Sequence, residues 1–157
     1  MGQLYEKNTD KALDKAALNQ HQKILNIVEK NCDQMVLIVP IEKVKNEEER
    51  YEEEQDLKNC YVFKDLEPFF LESRLCRKNG SIIKRKKSKK GYVMTDNWYY
   101  YQCNKESIKI LRKYPDLYNF ADYWFDICFI KKDEIVLETI SHEEMCSGSE
   151  ELFQELR

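Results

Sequence analysis

Apolar residues recur along this chain with two different periods, and the changes from one to the other mark out its elements. Over residues 10–30, Leu13, Ala17, Ile24 and Val28 fall at intervals of four, seven and four, with Ala16 and Ile27 beside them. That spacing predicts an amphipathic helix, with Thr9 or Asp10 able to cap its start. Asn31 to Asp33 breaks the pattern, and Met35-Val36-Leu37-Ile38-Val39 follows as a continuous apolar run closed by Pro40. A run apolar on both faces predicts a central strand. Tyr61-Val62-Phe63 reads as a further strand. Asp65 reads as the N-cap of a helix with Pro68 in its first turn and Phe69, Phe70 and Leu75 turned inward.

Further along, Asn79-Gly80 is a strong turn signal, and Ser81-Ile82-Ile83 and Gly91-Tyr92-Val93-Met94 flank what reads as a basic hairpin loop. Trp98-Tyr99-Tyr100-Tyr101 is a β-prone aromatic run. Asn104 is placed to cap a short helix bearing Ile108, Leu111 and Tyr114, with Pro115 to terminate it. Residues 125–142 hold two short apolar runs, separated by Lys131-Lys132-Asp133-Glu134, and predict a β-hairpin. An even-length turn would pair Ile127 with Glu138, and an odd-length one would pair it with Leu137 or Thr139. The difference decides whether Glu138 points into the core. Leu152 and Phe153, with Leu156, suggest a last helical turn or two. The expected architecture is α+β: a mainly antiparallel sheet with helices packed on one face and a C-terminal β-hairpin, in a single domain over residues 1–157.

Charge divides the chain. Residues 41–56 carry eight acids against three bases, net −5, and residues 74–90 carry nine bases and no acid, net +9. Both read as loops or solvated elements. The chain as a whole is net −3, with 42% hydrophobic residues, 10 tyrosines and only 4 glycines, which suits a folded domain rather than a disordered one. No apolar run approaches the roughly 20 residues that span a membrane, no signal-peptide pattern opens the chain, and Glu6 stands where a myristoylation site wants Ser or Thr. The expected compartment is the cytoplasm. Six cysteines lie at least sixteen positions apart with no CxxC pair, so they read as reduced core thiols rather than as zinc ligands or a disulfide framework.

Candidate chemistry is sparse. His142-Glu143-Glu144 is the one cluster with acid–base or metal potential, but HExxH would need a histidine where Cys146 stands. A metal or thiol enzyme around His142 and Cys146 is the weakest reading, with His142 capping the strand end as the plainer alternative. No nucleophile elbow, P-loop or GxGxxG is present, so no catalytic residue, metal or cofactor is assigned and the expected role is non-enzymatic. Lys84, Arg85, Lys86, Lys87, Lys89 and Lys90, with Tyr92 and Trp98 to Tyr101 nearby, make a nucleic-acid-binding module the alternative. The plainer account is a solvated hairpin guarding a sheet edge. Residues 116–157 hold eleven acids against three bases around Tyr118, Phe120, Tyr123 and Trp124. Carboxylates around aromatic anchors suit a surface that binds a basic protein, and equally an acidic face over core aromatics.

The stretch Asp126-Ile127-Cys128-Phe129, with its hairpin and Glu138-Thr139-Ile140-Ser141-His142-Glu143, resembles the C-terminal strands of small bacterial immunity proteins of polymorphic or contact-dependent toxin systems. The resemblance covers about 25 residues and includes no catalytic motif. It implies a compact, cytoplasmic, non-enzymatic protein that binds and blocks a basic toxin domain. The expected partner-binding residues are Tyr118, Tyr123, Trp124, Asp126, Glu138, His142, Glu143 and Glu144.

Overall fold

The computed structural model describes residues 2–6, 11–41, 59–77, 95–120 and 125–154. In chain order these form strand β1 (Gly2–Glu6), helix α1 (Lys11–Asn31), β2 (Gln34–Ile41) and helix α2 (Tyr61–Leu66). A 3-10 turn (Glu67–Phe69), β3 (Phe70–Arg77), β4 (Thr95–Gln102) and helix α3 (Lys105–Leu111) follow. The chain continues through β5 (Asp126–Lys131), β6 (Glu134–Ile140), a second 3-10 turn (Ser141–Glu143), β7 (Met145–Gly148) and a single helical turn, α4 (Glu150–Phe153). The strands make one seven-stranded sheet in the order β1-β7-β6-β5-β2-β4-β3, and every pairing is antiparallel. The fold is therefore α+β, with the expected C-terminal hairpin in place.

Strand alternation sorts side chains between the two faces. Met35 and Leu37 of β2, Tyr99 and Tyr101 of β4, and Ile127 and Phe129 of β5 meet Leu25 and Val28 of α1, Val62 and Leu66 of α2, and Ile108 and Leu111 of α3 in one core. Phe63 joins it edge-on to Tyr99 and Phe125, at centroid distances of 5.6 and 5.1 Å, and Phe120 stacks on Phe125 at 5.0 Å. The opposite face carries a smaller cluster drawn from strands alone: Val36, Tyr100, Cys128 and Ile130, with Ile38 and Trp98 packed against it. Because β2 contributes to both clusters, its unbroken apolar run is explained by its central place between β5 and β4.

The helices are fixed to one another by polar contacts as well as by burial. Asn104 and Ser107 form a reciprocal capping box at the start of α3, each backbone N–H donating to the other's side chain at 2.9 Å. At the other end Arg112 reaches α1, donating to Gln22 at 2.9 Å and Asn26 at 2.7 Å, while the Gln22 amide donates to the Arg112 carbonyl at 3.3 Å. Helix α3 ends four residues before Pro115 rather than at it. Asp33 ties the start of β2 to both neighbours: its N–H donates to the Ile130 carbonyl at 3.0 Å, and its own carbonyl accepts from the Cys103 N–H at 2.9 Å.

Three sequence expectations need correction. Tyr61-Val62-Phe63 opens a helix, not a strand, because Val62, Phe63 and Leu66 recur on one helical face and all are buried. The helix expected from Asp65 is only the 3-10 turn at Glu67–Phe69. Pro68 has no N–H to give the carbonyl four residues back, so the α-helix stops just before it. Phe70 and Leu75 instead lie in a strand, where Phe70 is exposed and packs edge-on to Tyr101. The basic segment 74–90 begins inside β3, not in a loop, because β4 supplies it with a ladder over Glu72 to Arg77. The remainder of that segment, residues 78–90, and all of the acidic run except Ile41 lie outside the described residues.

Candidate functional site

The hairpin turn is Lys132-Asp133, with Lys131 opposite Glu134, and both turn residues take positive φ (48° and 66°). This is a two-residue turn of the twist-compatible kind, made without glycine. An even turn alone would set Ile127 against Glu138. Instead the register shifts between Ile130↔Ile135 and Phe129↔Leu137, leaving Val136 as one extra residue in β6. The bulge turns both Val136 and Leu137 inward, and the Val136 carbonyl is met by the Ser149 N–H at 3.0 Å. Beyond it Cys128 faces Glu138, so Glu138 lies half-buried on the face away from the helices.

Past that pair, side chains take over from the backbone ladder. The Thr139 hydroxyl lies between the strands, accepting from the Ile127 N–H and donating to the Ile127 carbonyl, both at 2.9 Å. One step on, the Ser141 N–H donates to the Asp126 carboxylate at 2.8 Å, and the Ser141 hydroxyl donates to the Phe125 carbonyl. Ser141 and Thr139 are buried, so these are protected contacts. They fix the end of β6 just where it enters the four-residue connection to β7. There Glu144 adopts a left-handed conformation (φ 50°), and its N–H donates to the Ser141 carbonyl at 3.1 Å.

This connection displays His142 and Glu143 at its tip. Their side chains are 72% and 53% exposed, with His142 Nε2 3.8 Å from Glu143 Oε1. Glu144 is half-buried and accepts from the Asn119 amide at 3.3 Å. Asn119 in turn leans on Asp116, whose buried carboxylate accepts from the Tyr118 N–H at 2.8 Å and the Asn119 N–H at 2.9 Å. Two loops distant in sequence are thereby joined into one acidic end of the sheet. Of the expected binding residues, Asp126, His142, Glu143 and Glu144 come together here.

The others do not join them. Tyr118 is a core residue, because the Asp116 turn folds its ring inward, and it cannot serve as an exposed anchor. Glu138 looks out from the far face. Tyr123 and Trp124 lie outside the described residues, as do Lys84, Arg85, Lys86, Lys87, Lys89 and Lys90. Arg74, the first base of that segment, is already engaged: it pairs with Glu72 and sits 4.8 Å above the centre of the Tyr100 ring. His142 does not cap the strand end, since Ser141 and Asp126 do so. The contributions of Thr139 and Ser141 went unrecognised in the sequence. Hydroxyls at alternate positions where a strand ends are the one local sign of them.

All six cysteines are buried and none is in a disulfide. Burial, above all, pushes the thiols of Cys32, Cys103 and Cys128 up to about 12, so they stay protonated and make poor nucleophiles. The Asp126 and Glu138 carboxylates add to the effect on Cys128. His21, on α1, is buried with Nε2 3.2 Å from the Leu111 carbonyl, so that nitrogen carries the proton. Its pKa is lowered by burial against the weaker pull of that carbonyl and of Asp116. Among the described residues, no three His, Cys, Asp or Glu side chains are grouped to hold a metal, and no helix is long and apolar enough to cross a membrane. Family models, curated proteins and solved structures provide no match to the chain.

Proposed function

We propose that this protein acts by binding another protein through the acidic end of the sheet around Asp126 and Glu143, as a cytoplasmic immunity-type protein that neutralises a basic toxin domain. One observation carries the reading. The backbone of the turn bearing His142 and Glu143 is held by the buried hydrogen bonds of Thr139 and Ser141, and the Asp126 and Glu144 carboxylates by the Ser141 N–H and Asn119, so the acids are displayed from a fixed backbone. Like-signed charges at an exposed tip speed the approach of an oppositely charged partner, and little backbone entropy remains to be lost on docking. The resemblance of residues 126–143 to immunity proteins supports the same reading.

The test is affinity capture from the native host's lysate at low and moderate salt, with a nuclease-treated control, using the wild type and Glu143→Lys. The expected result is one basic protein that survives nuclease, with an association rate that falls as salt rises and falls further in the variant. Capture that disappears with nuclease would overturn the proposal and move the interaction to nucleic acid, with neutralisation of Lys84 to Lys90 as the next step. A captured protein whose association rate ignores both salt and the variant would remove the acidic turn from the interface.

A further inference from the structure

Among the described residues, β3 is the last strand of the sheet, and Phe70, Leu71, Glu72, Ser73 and Arg74 are all exposed along it. Phe70 and Leu71, 40% and 48% exposed, are two of the four large apolar residues displayed among the described residues. An open edge of this kind invites another strand unless its side chains repel one. Many edges are guarded by charges of a single sign, lysines above all. This one carries opposite charges two residues apart, Glu72 and Arg74, on one face.

We propose that β3 pairs with β3 of a second copy of this chain, antiparallel about a two-fold axis through Ser73. The charges select that register. A two-fold axis perpendicular to the sheet keeps each face on its own side, so it must pass through a residue rather than between two. Centred on Glu72 it would oppose two carboxylates, and centred on Arg74 two guanidinium groups. Centred on Ser73, inside the regular part of β3 from Glu72 to Arg77, it sets each Glu72 against the partner copy's Arg74, so that the opposite-charge pair occurs twice. Opposite charges on facing strands attract, and like charges directly opposed repel. The existing Glu72–Arg74 contact within one chain is a surface ion pair, which is worth little and is readily exchanged for the cross-strand pair. One strand edge buries little area, so the dimer belongs with weak, concentration-dependent assemblies. This inference is independent of the acidic turn and its partner.

Sedimentation equilibrium over a wide concentration range tests it with wild type, Glu72→Arg and Arg74→Glu. Circular dichroism confirms that each is folded. Wild type is expected to dimerise. Each variant alone sets like charges opposite one another at two places, and its association should weaken about tenfold or more. Mixed in equal amounts, the two variants restore opposite charges at both places and should return the dimer mass. A wild type that stays monomeric at the highest concentration overturns the proposal, as do variants that dimerise as well as wild type. A mixture that stays monomeric overturns the Ser73-centred register.

Discussion

Replacing Thr139 by valine removes a single hydroxyl and keeps the side chain's shape, yet it should be among the more damaging conservative changes at a buried position in this protein. The hydroxyl is the partner of both the N–H and the carbonyl of Ile127, at 2.9 Å each, in a stretch where Ile127 and Thr139 are buried. Two ordinary hydrogen bonds contribute about 1 kcal/mol each, and a buried group left without a partner costs about 1–3 kcal/mol. With some relaxation of the strands toward each other, Thr139→Val should lose about 2–4 kcal/mol, a large share of a typical domain's 5–15 kcal/mol. Thr139→Ser keeps the hydroxyl, gives up only a methyl group, and should lose about 1 kcal/mol. Equilibrium urea unfolding measures both, and hydrogen exchange at the Ile127 amide reads the local effect: faster in the valine variant, near wild type in the serine one. A valine variant within about 0.5 kcal/mol of wild type would refute the bridging role, since that is the scatter of neutral surface changes. So would a serine variant as unstable as the valine one.

Two further outcomes follow from the same contacts. His21 has its pKa lowered in the folded protein from 6.5. Above pH 6.5 it is neutral whether folded or unfolded; below, the unfolded chain takes up a proton that the folded chain resists. Stability should therefore fall with acidification from about pH 6.5 downward, by no more than about 1.4 kcal/mol per pH unit from this group. His21→Gln should flatten that part of the urea-midpoint profile, and an unchanged slope would refute the assignment. At the hairpin, Lys132 and Asp133 both hold positive φ, so Lys132→Asn with Asp133→Gly should stabilise by about 1 kcal/mol in the same unfolding assay. A loss of stability there would mean that the turn is held in some other way.

Elements with a local cause could be read from the sequence. Helix α1 shows its helical stripe, α3 its Asn104 cap, β2 an apolar run too short for a helix, and the β5–β6 hairpin two such runs around a polar turn. Elements whose cause lies in a neighbour could not. Strands β1 and β7 have no alternation of their own and exist because each supplies the other's ladder, with β6 holding β7. The strand-like Tyr61-Val62-Phe63 became helix because Leu66 completes a buried helical face, a choice that packing makes and propensity does not. The bulge at Val136 has no signature beyond two adjacent apolar residues, and it alone decided where Glu138 would point. At the acidic end, the structure brings the carboxylates of Asp126, Glu143 and Glu144 to one end of the sheet and buries Tyr118, which composition had grouped with them. Carboxylates beside an aromatic ring look alike in sequence whether the ring is an exposed anchor or, as here, is folded inward by the Asp116 turn.

The sheet order also sets how the two surfaces relate. From β6, which leads into the acidic turn, to β3 there are four strand steps, β6-β5-β2-β4-β3. At about 4.8 Å per step that is roughly 19 Å, about twice the screening length of roughly 8 Å at physiological salt. Exposed charges so far apart barely feel one another, and perturbations beyond about 10 Å with no shared partner act additively. Glu143→Lys should thus leave the dimer mass unchanged, and Glu72→Arg should leave the association rate with a captured partner unchanged. A double variant should show the sum of the two effects. If reversing Glu72 slowed partner capture, the partner's footprint would have to extend across the sheet or require the dimer, and the compact acidic turn would no longer be a sufficient account of the interface.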